Sequence, residues 1–360
     1  MMKAPEYVSA IRPYVPGKPV EELERELGIS GSIKLASNEN PLGPSPDAVR
    51  ALSGRIGTLN RYPDGGGFYL KEALSGALGV EPGSIILGNG SNELLDVAVR
   101  TFMAPGDEAV MARPSFVVYS MSVQAHGCRA IEVPLRDFTH DLEAMAGAVN
   151  EKTRVVFIAN PNNPTGTINT AAELDRLMER VPDGVLVVLD EAYYEYVSDP
   201  GYADSMKHFR AGRDILILRT FSKIYGLAGL RIGYGVAKPE IIEEMNKIRA
   251  PFNTGTLAQA AALAALSDRE HVERSRAVNE EGKRYLYREL GALGVGHVPT
   301  EANFVYLLLE GRAGPVFEAL LRQGVIVRPM GPDAIRVTVG LPEENRRFVE
   351  AFRGALQSGQ

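Results

Sequence analysis

Between residues 84 and 236, short apolar runs alternate with segments of helical periodicity. No other feature of the chain restricts its fold as much. SIILGNG (84–90), EAVMARP, RVVFIAN (154–160), GVLVVLDE (184–191) and DILILRTFS (214–222) read as strands, and GLRIGYGVA as a further one. SNELLDVAVRTF (91–102), SFVVYSMSVQAHG and AAELDRLMERV lie between them and repeat their apolar residues with a helical period. Strands that are apolar on both faces must be covered on both faces. The pattern therefore predicts an α/β fold: a large domain whose mainly parallel sheet is covered by helices on both faces.

The flanks differ. Residues 1–35 read as an arm, a proline-rich start followed by the charged helix VEELERELG, which packs with the small domain or a partner subunit. The large domain then runs over 36–255. A long helical region (256–293) leads to the strands NFVYLLLE, VIVRP and AIRVTVG, with helices around 313–324 and 342–356. Residues 256–360 thus read as a smaller α+β C-terminal domain.

A chain of 360 residues can bury a sizeable core. A net charge of -6 argues against nucleic acid as a main partner, because phosphate binding calls for a basic surface. The single cysteine, Cys128, excludes an intrachain disulfide and suits a reducing compartment. Its setting, AHGCRAIEV, reads as a turn entering a strand, which favours structural burial over a nucleophile. The first residues lack the apolar core of a signal peptide, and no apolar run reaches the roughly 18 residues of a membrane span. A cytoplasmic protein without a membrane partner is expected.

In parallel α/β sheets, ligands bind beyond the carboxyl ends of the strands, and here those ends carry the polar residues. SIILGNG runs into a helix at Ser91-Asn92, whose first N–H groups suit an anion. An ordinary N-cap at Ser91, with Glu93 nearby, explains the same residues, and GxGxxE lacks the third glycine of a dinucleotide fingerprint. RVVFIAN ends in Asn160-Pro161-Asn162-Asn163-Pro164-Thr165-Gly166, a stiff loop dense in amides that is either a plain turn or a ligand-facing edge. GVLVVLD ends on Asp190, a carboxylate that needs a donor or cation unless it caps a helix. Tyr193 and Tyr194 follow, as site residues or as core aromatics. DILILRTFS runs into Lys223, and Arg231 follows within the mostly apolar RTFSKIYGLAGLRIGY. Lys223 is either a loop-tip lysine or a carbonyl-capturing amine whose pKa is depressed by burial beside another cation.

Together these ends supply an anion seat, an amide, a buried acid, a phenol, a primary amine and an arginine. That set fits a phosphorylated aromatic aldehyde with a protonatable ring nitrogen, which is the chemistry of pyridoxal 5'-phosphate. A nicotinamide-dependent dehydrogenase and a non-catalytic ligand-sensing module are the competing classes. The second needs a DNA-binding extension, for which an arm of about 35 residues leaves no room.

The segments IRPYVPGKP, LASNENPLG, LNRYPDG, GNGSNELLD, ANPNNPTGT, LDEAYYEY, RTFSKIYGLAGLRIGY, RAPFNTG and IRVTVG extend over nearly the whole chain. They resemble the fold-type I pyridoxal-phosphate-dependent aminotransferases and, within them, the histidinol-phosphate aminotransferases. The resemblance implies that Lys223 anchors the cofactor aldehyde and moves protons as general base and acid. It implies that Asp190 keeps the pyridine nitrogen protonated, and that Asn163 and Tyr193 hydrogen-bond the ring hydroxyl. Ser91, Asn92, Ser222 and Arg231 would hold the cofactor phosphate. Phe116 would stack on the ring, where the family often has tyrosine. Tyr62 would reach into a neighbouring subunit's site, implying a homodimer with shared active sites. Tyr14, Arg328 and Arg336 match groups that bind the substrate anion. Arginine's planar fork suits both the phosphate of histidinol phosphate and the carboxylates of glutamate and 2-oxoglutarate. By pattern alone, Arg328 and Arg336 read equally well as exposed strand residues. The implied activity is ping-pong transfer of an amino group from L-histidinol phosphate to 2-oxoglutarate in histidine biosynthesis, without a metal. An aromatic amino-acid aminotransferase, or a related lyase acting on phosphate substrates, is the alternative on the same scaffold.

Overall fold

The computed structural model describes residues 2–358. Seven strands form the larger sheet: Ile85–Gly88 (β1), Glu108–Arg113 (β2), Arg129–Pro134 (β3), Thr153–Ala159 (β4), Leu186–Asp190 (β5), Ile215–Thr220 (β6) and Gly233–Val236 (β7). Their order is β1-β7-β6-β5-β4-β2-β3. Only β7 is reversed, running antiparallel to both β1 and β6. Parallel neighbours need a crossover connection, usually a helix. Between β6 and β7 there is only a loop with one short 3-10 turn, Ala228–Leu230, so the chain folds straight back.

The period-2 geometry of the strands explains their all-apolar sequences. Val187 and Leu189 of β5 feed one core, while Leu186 and Val188 feed the other. On the second face lies the helix Ser91–Phe102, which buries Leu94, Leu95, Val97, Ala98 and Val99. On the first lies the helix Ala171–Arg180, which buries Leu174, Leu177 and Met178. The second helix starts at a capping box between Thr170 and Glu173. Each fully buried Leu, Val or Ile contributes roughly 1.5–3 kcal/mol. The two sheet faces therefore hold the strand ends rigidly enough to carry a site.

A second, antiparallel sheet is built from His297–Val298 (β8), Phe304–Leu308 (β9), Arg328–Pro329 (β10) and Ala334–Thr338 (β11), in the order β10-β11-β9-β8. It shares a core with the helices Arg269–Ala292, Ala313–Arg322 and Pro342–Ser358. The helical region expected at 256–293 is two helices, Thr256–Ser267 and Arg269–Ala292, separated at Asp268, whose carboxylate accepts the His271 N–H. The first of the two packs on the helices Pro46–Ser53 and Phe68–Leu78. Its Ala258, Ala261, Ala262 and Ala265 join the core under the large sheet.

The N-terminal segment touches both bodies. Its helix Glu6–Ser9 lies on Val118–Ala125, where Gln124 Nε2 donates to the Tyr7 carbonyl at 3.1 Å. Ile33–Lys34 pairs in parallel with Val325–Ile326, and Leu23 packs on Leu321 and Ile326. Cys128 is buried, with Sγ 3.2 Å from the Ala104 carbonyl. Among the described residues, no helix is long and apolar enough to cross a membrane.

Candidate active site

The carboxyl ends of β1, β4, β5 and β6 converge on a cavity of about 190 Å³, closed on its far side by β11 and the segment around Asn38. One ordered water needs only about 10–15 Å³ of such space, so the cavity is sized for an organic ligand. Eleven of the residues singled out above line it: Tyr14, Ser91, Asn92, Phe116, Asn163, Asp190, Tyr193, Ser222, Lys223, Arg231 and Arg336. Arg328 and Tyr62 do not.

Asp190 ends β5 and is buried. It caps no helix. Its Oδ1 accepts the Ala192 N–H at 3.2 Å, and its Oδ2 accepts the Tyr119 hydroxyl at 2.8 Å. Burial raises the carboxyl to about 6, against the lowering effect of the Tyr119 and Ala192 hydrogen bonds and of Lys223. A carboxylate has about four acceptor positions, so this acid still has capacity for a donor in the cavity. Tyr119, which the pattern gave no reason to select, sits in the helix Val118–Ala125 and stacks on Phe157 with centroids 5.0 Å apart.

Lys223 follows β6. Its Nζ donates to the Ser37 carbonyl at 3.3 Å. Burial lowers its pKa to about 8, helped by the Arg336 and Arg231 charges and opposed by Glu39 and Asp190. The lysine is thus no loop-tip cation. It is an amine that gives up its proton more readily than an ordinary lysine, in the same cavity as a buried acid.

At one end of the cavity is an anion seat. The helix Ser91–Phe102 is capped by Gly90 at φ 71°, not by Ser91, and no side chain occupies the cap. The first N–H groups of a helix lack partners within it, so those at Ser91 and Asn92 are left for a ligand. Arg231, itself left-handed at φ 54°, donates from Nη1 to Ser222 Oγ at 3.2 Å. A Cβ on Gly90 would stand 2.5 Å from Arg231 Nη2. Glycine at 90 is what admits the guanidinium to the helix start.

A second cation enters the cavity from the small body. Arg336 on β11 is buried, contrary to the exposed position that alternation in IRVTV allows. Its Nη1 donates to Asn163 Oδ1 and its Nη2 to the Ala36 carbonyl at 2.8 Å. Its Nε has no partner among the described residues. Burial lowers its pKa. A buried arginine with an unused donor is an incomplete anion site. Arg328 lies opposite Arg336 across the β10–β11 pairing. It stays outside the cavity, holding the Val15 carbonyl at 2.7 Å and covering the Tyr14 ring at 5.1 Å. Tyr14 is thereby fixed at the cavity mouth.

The amide-rich loop divides between the two readings given above. Asn160 and Asn162 are structural: Asn160 exchanges hydrogen bonds with the Asn169 backbone, and Asn162 Oδ1 accepts from Ser115 and His140. Only Asn163 of the three asparagines reaches the cavity. Asn38 and Tyr119 also line the cavity, and neither is marked by a strand end. Tyr62 stacks on Phe252 at 4.8 Å on the surface and is 83% exposed.

A family model described as aminotransferase class I and II matches residues 30–352. The histidinol-phosphate aminotransferase of Moorella thermoacetica is 54% identical over 359 residues, covering 98% of this chain and 93% of that one. Histidinol-phosphate aminotransferase 1 of Nitrosococcus oceani is 51% identical, covering 97% and 96%. Among solved structures, histidinol-phosphate aminotransferase from Sinorhizobium meliloti in complex with pyridoxal-5'-phosphate aligns with a TM-score of 0.92 at 28% identity, covering 99% of this chain and 98% of that one. A Thermus thermophilus aspartate aminotransferase double mutant shares the fold, with a TM-score of 0.84 at 24% identity over 99% of this chain and 100% of that one. The match to the family model and the two relatives above half identity have one consequence: the chain belongs to the aminotransferase class I and II family.

Proposed function

We propose that this chain is a pyridoxal-phosphate-dependent aminotransferase that moves an amino group between L-histidinol phosphate and 2-oxoglutarate. The observation that carries the reading is one cavity holding a lowered amine, Lys223, and a buried acid, Asp190, between two separate anion sites at Arg231 and Arg336. The residues fit the cofactor chemically. Gly90 leaves the helix start open beside Arg231 and Ser222 for a phosphate. Asp190 has acceptor capacity left for a ring N–H. The relatives' names supply the substrate.

Pyridoxal phosphate, when bound, supplies an aldehyde that condenses with amines and a ring that takes up the electron pair left when a substrate Cα loses its proton. The chain's own residues do the rest. Ser91, Asn92, Ser222 and Arg231 hold the phosphate, and Phe116 covers the ring. Asp190, ionised at neutral pH even at about 6, accepts from the ring nitrogen and keeps its proton in place. Tyr193 and Asn163 donate toward the ring oxygen. Lys223 would hold the aldehyde, and its neutral amine is the base that would take the proton from the substrate Cα. At pH 8 about half of an amine with a pKa of about 8 is neutral, against under about one per cent for an ordinary lysine. Arg336, with Tyr14 at the mouth and Arg328 behind it, takes the substrate anion. That anion is a phosphate in one half-reaction and a carboxylate in the other, and a guanidinium fork accepts both.

The enzyme works as a homodimer in the cytoplasm on this reading. The exposed Tyr62 would serve a neighbouring chain, and the lone buried cysteine suits a reducing compartment. The test is a spectral titration. The purified protein carries a visible cofactor band that histidinol phosphate bleaches in a single turnover and 2-oxoglutarate restores, and Lys223→Ala lacks this lysine-linked band. A protein bleached by phenylalanine but untouched by histidinol phosphate would sink the substrate assignment.

A further inference from the structure

Three consecutive residues each hold one group of the site. The Ala36 carbonyl accepts from Arg336, the Ser37 carbonyl from Lys223, and the Asn38 side chain donates to Tyr193. Asn38 is the only one of the three to act through its side chain, and the geometry fixes which way its amide points. Its backbone N–H donates to Thr338 Oγ1 at 2.9 Å. A backbone N–H has no other role, so the Thr338 hydroxyl accepts there and its own proton is left to donate. Asn38 Oδ1, 3.3 Å away, is the acceptor within reach. The amide NH2 therefore faces the Tyr193 hydroxyl, at 2.7 Å. An NH2 group only donates. The phenol oxygen must accept from it, and the phenol's own proton is left for the cavity that Tyr193 lines.

Asn38 is costly to place there. It is buried at φ 57°, in the left-handed region that asparagine tolerates better than most residues. Its carbonyl is held by Asn303 Nδ2 at 3.0 Å, so all its polar groups are engaged. Thr338 lies two residues beyond Arg336 on β11, so the orientation originates on the strand that carries the substrate-anion arginine.

We propose that Asn38, oriented by Thr338, is a positioning residue that fixes Tyr193 as a hydrogen-bond donor to the bound ligand. This rests on the reading of the cavity as a pyridoxal-phosphate site. Burial pushes the phenol up to about 12, so it keeps its proton at any working pH. A donated proton stabilises the ring-oxygen anion most when the neighbouring nitrogen has lost its own proton. Removing it should therefore raise the pH midpoint of the bound cofactor's visible band.

The experiment is a pH titration of that band in the loaded enzyme. Asn38→Gly keeps the left-handed backbone and removes the amide, whereas Thr338→Val keeps the shape and removes the orienting hydroxyl. Both are expected to raise the midpoint by about one pH unit, the scale of one charge-assisted hydrogen bond. Tyr193→Phe should raise it as far, and Asn38→Gly added to Tyr193→Phe should move it no further. An unchanged midpoint in both single variants, with Tyr193→Phe shifted, overturns the proposal. So does a shift from Asn38→Gly that is undiminished in the Tyr193→Phe background. A wild-type protein with no visible band fails the cofactor reading itself, a result distinct from either.

Discussion

Asp190 carries its charge in a place that does not stabilise the folded chain. Its carboxyl sits at about 6 in the fold, against 3.8 for the ordinary group, and burial is the main cause. The folded state holds the proton to higher pH than the unfolded state does. Stability is therefore lost as pH rises from about 4 through 6, and the loss is complete above that. Two pKa units correspond to a cost on the order of 3 kcal/mol. Asn is isosteric and keeps both contacts: its oxygen accepts from Ala192, and its NH2 donates to Tyr119. In the cofactor-free protein, Asp190→Asn should be more stable by about 1–3 kcal/mol at pH 7.5. Urea denaturation should show that gain fading toward pH 4, while transamination falls by roughly 100-fold or more for want of the charge at the ring nitrogen. A variant less stable than wild type at pH 7.5 would contradict this account. The position was legible in the sequence because a carboxylate ending an apolar strand needs a donor or cation unless it caps a helix. Its partner Tyr119 was not legible: it lies 71 residues away in a helix where an aromatic at core spacing is unremarkable.

The anion seat depends on how elements pack more than on any one side chain. The reversed strand β7 brings Gly233 against the start of the helix Ser91–Phe102. A Cβ on Gly233 would lie 2.5 Å from the Ser91 nitrogen, and 2.9 Å from both the Arg219 carbonyl oxygen and the Gly90 carbonyl carbon. All three are backbone, which cannot swing aside. Gly233→Ala should therefore push the helix start away from Arg231 and weaken pyridoxal-phosphate binding by about tenfold or more, roughly 1.4 kcal/mol, as measured by fluorescence titration of the cofactor-free protein. Gly76, within the helix Phe68–Leu78, is the control: a Cβ there meets nothing within 4 Å. Gly76→Ala should leave binding alone and add about 0.5–1 kcal/mol of stability. Equal binding in wild type and Gly233→Ala would remove the packing argument. At this scale the sequence is legible where one element decides its own burial. The strands of the large sheet and the helix at 91–102 fall where their apolar patterns put them. It is not legible where a second body decides. Every residue of β11 is buried, because both faces of that strand are covered, so alternation could not reveal that Arg336 is inside. Asn38 is likewise defined by residues some 300 positions away.

At the scale of the molecule, packing argues for a division one helix later than residue 255. The alanine face of Thr256–Ser267 belongs to the large core, and the helix ends at Asp268, so we propose the boundary there. The large body also exposes Ile56, Leu59, Tyr62, Phe68 and Tyr69 within one stretch of chain, with Phe252 stacked on Tyr62. Large exposed apolar patches of this kind mark association surfaces. A dimer through this patch would explain why Tyr62 does not line the cavity of its own chain. Mixing two damaged chains tests that directly. Lys223→Ala removes the amine, and Tyr62→Ala removes the phenol and should cut activity by itself if Tyr62 serves a site. When the two variants are unfolded together and refolded, about half of the dimers should pair one of each chain. If Tyr62 works across the interface, one site of each mixed dimer carries both lesions. The other has its Lys223 from one chain and its Tyr62 from the partner, both intact. Activity should then return to about a quarter of the wild-type level. If Tyr62 works within its own chain, every site in the mixed dimer keeps a lesion and no activity returns. Size-exclusion chromatography with light scattering on the same samples shows whether mixed dimers formed, so a failure to associate is not mistaken for a failure to complement.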